Sequence, residues 1–184
     1  MEKSVLLLMD LQERMMENVE GSATLLQHVR IALDGARKAG IPVIFVQLGF
    51  EEGYPEVGEK NKAFAGLKPS GFFLPSDTKR AIVKEIAPLP GETVICKKRY
   101  SAFAGSSLEV ILRAMQADRL VMSGVSTSGI VLSTFLAAAD MDFNMTVLQD
   151  CCLDRDPEMH QFLFEKIYSR RGLVQNAADW VKSL

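Results

Sequence analysis

Apolar residues along this chain occur in two arrangements, short unbroken runs and stripes with helical spacing, and the two alternate. Ser4–Met9 (SVLLLM) is a continuous apolar run, which predicts a strand covered on both faces. From Ser22 to Ala39 the residues Leu25, Leu26, Val29, Ala32, Leu33 and Ala36 share one helical stripe, and Gly40 provides a stop. Ile41-Pro42 opens an extended segment, and Val43–Val46 (VIFV) predicts a second buried strand. Later runs predict strands at Thr93–Cys96, Arg119–Met122, Met145–Leu148 and Leu173–Gln175. The intervening stripes predict helices from Ser76 or Asp77 to Ile86, from Ser106 or Ser107 to Gln116, from Thr127 to Met141, and from Asp156-Pro157 to Ser169. Glu109 stands three residues after Ser106, as in a capping box, and Asn176 is placed to cap a terminal helix. Repeated βα units imply an α/β fold, a parallel sheet with helices on both faces, in one domain over residues 1–184.

Residues 48–75 break the rhythm. They hold five glycines (Gly49, Gly53, Gly58, Gly66, Gly71) and three prolines (Pro55, Pro69, Pro75) without a sustained period. So long a connection is either functional or a disordered surface loop. Its apolar content (Phe64, Leu67, Phe72, Phe73, Leu74) favours burial against the crevice or a neighbouring subunit.

Composition narrows the function classes. With 21 basic and 23 acidic residues and a net charge of -2, nothing calls for a nucleic acid or an anionic membrane. No apolar run approaches the ~20 residues of a membrane span, and no signal-peptide pattern stands at the N-terminus, so a cytoplasmic location is expected. The three cysteines, Cys96, Cys151 and Cys152, include an adjacent pair unsuited to a bridge, and His28 and His160 have no ligand-like spacing. Neither a metal nor another cofactor is expected.

In an open parallel sheet, ligands bind at the carboxyl ends of the strands. Those ends are Asp10, Gln47, Lys97, the loop Gly124-Val125-Ser126-Thr127-Ser128-Gly129, and Asp150. An Asp and a Lys arriving from separate strands can exchange a proton with a substrate, or can form a plain salt bridge. The glycine loop can cradle an anion at the next helix N-terminus, or simply carry an N-cap at Ser126 or Ser128.

Together VLLLMDLQ (5–12), PVIFVQ (42–47), CKKRYSAF (96–103) and SGVSTSGIVLSTFLAAADMDF (123–143) closely resemble the isochorismatase-like hydrolases. The likeness runs in order from residue 5 to about residue 155. It implies a three-layer α/β/α fold with a six-stranded parallel sheet, a habit of forming homo-oligomers, and a cis peptide at Val125–Ser126. It also implies that Asp10 and Lys97 are catalytic, with Gln47, Tyr100, Phe103, Val125, Ser126 and Ser128 around the substrate or its oxyanion. Ile130 occupies the place of the family's nucleophilic Cys, which closes the thioester route to amide hydrolysis there. The stretch Gln47-Leu48-Gly49-Phe50 lacks the Asp and His of metal-binding members. Isochorismatases proper need no nucleophile: an Asp protonates a vinyl ether and water captures the cation. They carry Tyr-Ala-His where this chain has Ser126-Thr127-Ser128. Three expectations follow: an isochorismatase-type hydrolase of a small anionic, vinyl-ether substrate; a thiol-independent amidase-like hydrolase; or a non-catalytic relative acting as a binding module.

Overall fold

The computed structural model describes residues 2–184. Six parallel strands form one sheet in the order β3-β2-β1-β4-β5-β6. They are β1 Ser4–Met9, β2 Val43–Leu48, β3 Thr93–Lys97, β4 Arg119–Val125, β5 Asn144–Leu153 and β6 Leu173–Gln175. The helices are α1 Glu13–Met16, α2 Ser22–Ala39, α3 Lys62–Ala65, α4 Leu108–Met115, α5 Leu132–Ala139, α6 Pro157–Leu163, α7 Ser169–Arg171 and α8 Ala177–Lys182. No helix among the described residues is long and apolar enough to cross a membrane.

Alternation along each strand divides the core into two layers. Val5, Leu7, Met9, Ile44, Val46, Leu120 and Met122 face α4 and α5, meeting Leu108, Leu112, Phe135 and Ala138. Leu6, Leu8, Phe45, Val121 and Leu148 face α2, whose stripe Leu25, Val29, Ala32, Leu33 and Ala36 is buried, and Trp180 of α8. Each fully buried Leu, Val or Phe contributes roughly 1.5–3 kcal/mol. Continuous apolar runs are required here because both faces of every central strand are covered. Gly40 ends α2 in the left-handed conformation (φ 69°), which glycine adopts without strain.

Several boundaries differ from the pattern-based expectations. Residues 76–86 are not a helix but two 3₁₀ turns, Thr78–Arg80 and Lys84–Ile86. Their backbone groups are taken instead by antiparallel pairing with the residues after β1, Glu13 N to Ala81 O and Val83 N to Leu11 O. The capping box is absent: Ser107 is the N-cap of α4, Ser106 Oγ accepts from Leu108 N, and Glu109 sits opposite Arg113. The helix expected from Thr127 begins as a wide π turn, Thr127–Val131, before α5. A second π turn, Phe164–Tyr168, interrupts the helix that Asp156 caps.

Strand β5 runs five residues past Leu148 because a register shift between Met122 and Gly124 lets Gly124 pair with Cys152 and Val125 with Leu153. Asp150 therefore lies within a strand and not at its end. It lies 3.2 Å from His28 and accepts from Ala177 N at 2.8 Å, supplying the side-chain bond that Asn176, the N-cap residue of α8 as expected, does not make.

The 48–75 segment folds on itself. Leu48, Phe50, Tyr54, Val57, Phe64, Phe73 and Leu74 make a third apolar cluster, with the Tyr54 hydroxyl donating to Phe72 O. The side of this cluster carrying Phe64 closes over the carboxyl end of the sheet.

Candidate active site

The strand order reverses between β1 and β4, and a cavity of about 280 Å³ opens at their carboxyl ends. Ligands of α/β sheets bind at such a switch point. Asp10, Lys97, Val125, Ser126, Tyr100 and Ile130 of the expected set line it.

Asp10 follows the last residue of β1 with its N–H donating to Val46 O and a left-handed backbone (φ 55°), uncommon for a residue other than glycine. Its Oδ2 lies 2.8 Å from Lys97 Nζ, and both side chains are almost entirely excluded from solvent, at 4% and 2% exposure. Lys97 also donates to Arg99 O at 2.9 Å, so the β3 end holds its ammonium in place. Asp10 Oδ1 is buried without a hydrogen-bond partner. Burial pushes the Asp10 carboxyl above the usual carboxylate range; the Lys97 charge and its hydrogen bond, and the Leu48 N–H, work in the opposite direction. The result is a dry carboxyl, more basic than an ordinary one, beside a fixed cation.

The wall opposite is built by the turn after β4. The Val125–Ser126 peptide is cis. Tyr168 donates to Thr127 O at 2.7 Å, His160 Nδ1 meets Thr127 Oγ1 at 2.8 Å, and Asp154 Oδ2 accepts from Ser128 N at 2.7 Å. These three ties present Ile130, a hydrocarbon side chain 2% exposed, to the cavity. Thr134 Oγ1 accepts from Ala102 N and anchors the loop carrying Tyr100.

Three expected residues are not brought to the cavity. Gln47 follows Phe45 by two positions on β2, which points it toward the α2 face, the opposite face from Val46. Ser128 contributes its backbone N–H to Asp154 and does not line the cavity. Phe103 stacks on Phe143 beneath α5. Phe64, expected with its segment to bury against the crevice or a neighbouring subunit, lines the cavity; pattern reading missed Asp154 and Arg155, which also line it, and Gln12, which braces its floor. Asp154 and Arg155 escaped notice because β5 is longer than its apolar run. Neither Cys151 nor Cys152 lines the cavity; burial pushes Cys152 up to about 12 and raises Cys151 as well. A larger cavity of about 750 Å³ adjoins the first and shares Asp154 and Arg155. It is lined by Cys152 and His160 and contains no buried carboxylate–ammonium pair, which sets the smaller cavity apart.

A six-stranded parallel sheet with a buried Asp–Lys pair at its switch point defines an α/β protein with a candidate site at its strand ends. The sequence profile of the Isochorismatase domain matches residues 4–179, and the chain belongs to that family of hydrolases. The ureidoacrylate amidohydrolase RutB of Stutzerimonas stutzeri is 33% identical over 156 residues, 78% of this chain and 63% of that protein's length. The RutB of Yersinia enterocolitica is 30% identical over 156 residues, covering 78% of this chain and 68% of its own. A cysteine hydrolase from Pseudomonas syringae pv. phaseolicola superimposes with a TM-score of 0.90 at 18% identity, covering 98% of this chain and 91% of that one, which demonstrates the shared fold.

Proposed function

We propose that this chain hydrolyses a small anionic substrate without a covalent intermediate, using Asp10 as the proton donor. The observation that carries this reading is the buried Asp10–Lys97 pair in a cavity whose opposite wall is Ile130. Burial favours the neutral carboxylic acid, the form needed to give up a proton. For a vinyl ether, the Asp10 proton adds to the terminal carbon, the electron pair of the C=C bond forming the new C–H bond. Water adds to the resulting oxocarbenium carbon and loses a proton to the Asp10 carboxylate. The hemiketal then collapses to an alcohol and a carbonyl product. Lys97 stabilises the carboxylate that Asp10 becomes, and Arg155, an exposed cation lining the cavity with no ion-pair partner among the described residues, offers a contact to a substrate anion.

The names of the curated relatives favour a second reading, hydrolysis of a ureido or amide C–N bond by a water that Asp10 activates. In that case the same two residues act, but Asp10 starts as the carboxylate and takes a proton from the water instead of giving one to the substrate. Purified protein incubated with isochorismate under coupled pyruvate detection, and with a panel of amides and ureido acids under ammonia detection, separates the two. Pyruvate release supports the first reading and ammonia release the second. In either, Asp10→Asn lowers turnover by a factor on the order of 10²–10⁴, the usual worth of a positioned acid or base. Full activity in Asp10→Asn, or no product from wild type in either assay, would remove the proposal.

A further inference from the structure

Gln12 is completely buried, and its side-chain amide is engaged at both ends. Nε2 donates to Leu48 O at 2.9 Å and to Arg80 O at 2.7 Å, and Oε1 accepts the Leu48 N–H at 2.8 Å. Its backbone is fixed as well, by an isolated antiparallel bridge to Ile82. The amide has no freedom to turn elsewhere. Leu48 ends β2, next to β1, and its N–H is shared: it donates to Gln12 Oε1 at 2.8 Å and also acts on the Asp10 carboxylate beside it, where it favours the charged form. Meanwhile Asp10 Oδ2 is taken by Lys97 and Oδ1 is buried without a partner. A buried acceptor left unpartnered in a closely packed site calls for a physical reason.

We propose that Gln12 is a positioning residue acting through Asp10: by competing for the Leu48 N–H, it keeps that donor from closing fully on the Asp10 carboxylate and so leaves Oδ1 ready to hold a proton. A carboxylate that collects backbone N–H bonds becomes a stronger acid and a poorer proton reservoir. With the Leu48 N–H shared with Gln12, the proton itself satisfies Oδ1, and the O–H so formed is available to the cavity. The charged groups facing Asp10 are few. Lys97 on β3 is in contact, and Asp154 and Arg155, beyond the end of β5, are the other charged residues lining the cavity. None of these donates to Oδ1. The inference deepens the proposed reaction and rests on its assignment of Asp10 as the proton carrier.

The test is a ¹³C NMR titration of the Asp10 carboxyl in wild type, Gln12→Met and Gln12→Glu, a readout that needs no substrate. Gln12→Met keeps the length and removes the acceptor, so the Leu48 N–H turns to Asp10. Its midpoint is expected to fall by about one pH unit, roughly tenfold in proton affinity. The limb of the kcat/KM pH profile that reports Asp10 shifts by the same amount. Gln12→Glu loses the Nε2 donations to Leu48 O and Arg80 O but retains an acceptor for the Leu48 N–H and adds like charge, so the midpoint stays or rises. Should Gln12→Met fail to fold, Gln12→Asn, whose amide is one carbon short of Leu48, takes its place with the same expected fall. An unchanged midpoint where the acceptor is removed, or a lowered one in Gln12→Glu, overturns the role of Gln12. An unmoved titration together with inactivity of Asp10→Asn would discard Gln12 and leave the proposed reaction standing.

Discussion

Lys97→Met removes the cation from the pair while keeping nearly the same volume, so its effect isolates electrostatics from packing. Breaking a buried ion pair by removing one partner costs about 3–5 kcal/mol when the remaining charge has no other outlet. Asp10 has an outlet, which is to take up a proton. Protonating a carboxyl whose ordinary value is 3.8 costs about 1.4 kcal/mol for each pH unit above that value, hence roughly 4 kcal/mol at pH 7, and that figure caps the loss. The sign follows from proton counting. Above about pH 4 the folded variant retains a proton that the unfolded chain has released, so its stability falls as pH rises. In the wild-type protein Asp10 is displaced in the same direction, but Lys97 offsets part of the burial cost and the decline with pH is shallower. The deficit of Lys97→Met relative to wild type should therefore be small near pH 4 and grow as pH rises, staying below the roughly 4 kcal/mol cap at pH 7. Urea unfolding followed by the fluorescence of the single tryptophan, the buried Trp180, measures it at each pH. A deficit that is constant across this range, or absent, would show that Asp10 does not depend on Lys97 for its charge and would refute the electrostatic reading of the site.

Other outcomes follow from the same geometry. Hydrolytic activity should survive iodoacetamide under native conditions, and survive Cys151→Ser and Cys152→Ser singly, because burial raises both of these thiols and none of the three cysteines, the half-buried Cys96 included, lines the cavity; activity lost on alkylation would contradict this. Gly124→Ala would drive a Cβ into the Met9 carbonyl oxygen where β4 pairs with β1, and a loss of roughly 2–3 kcal/mol in urea unfolding is expected, against no loss if the strands can part.

Read without coordinates, the chain already determined its layers. Unbroken apolar runs such as Ser4–Met9 have no stable place except a strand covered on both faces, and the α2 stripe has no use except against that sheet. The residues that end those runs, Asp10 and Lys97, were legible as site candidates for the same reason. A charge that interrupts a buried strand must sit at its end, and the ends of parallel strands share one edge. What tertiary structure alone decided lies wherever a backbone or side chain found its partner far away in sequence. Residues 81–83 look helical, but their hydrogen bonds are taken by Leu11 and Glu13. Cys151 and Cys152 look like residues beyond a strand, but a register shift opposite Gly124 draws them into β5 and delivers Asp154 and Arg155 to the cavity. Gln47 ends an apolar run as Asp10 does, yet the alternation along β2 directs it to the α2 face. Gln12, two residues beyond Asp10, carries no local mark of its role, because that role consists of Leu48 and Arg80, 36 and 68 positions away. Local pattern records how each residue meets water; which polar groups meet one another is decided only when the chain closes.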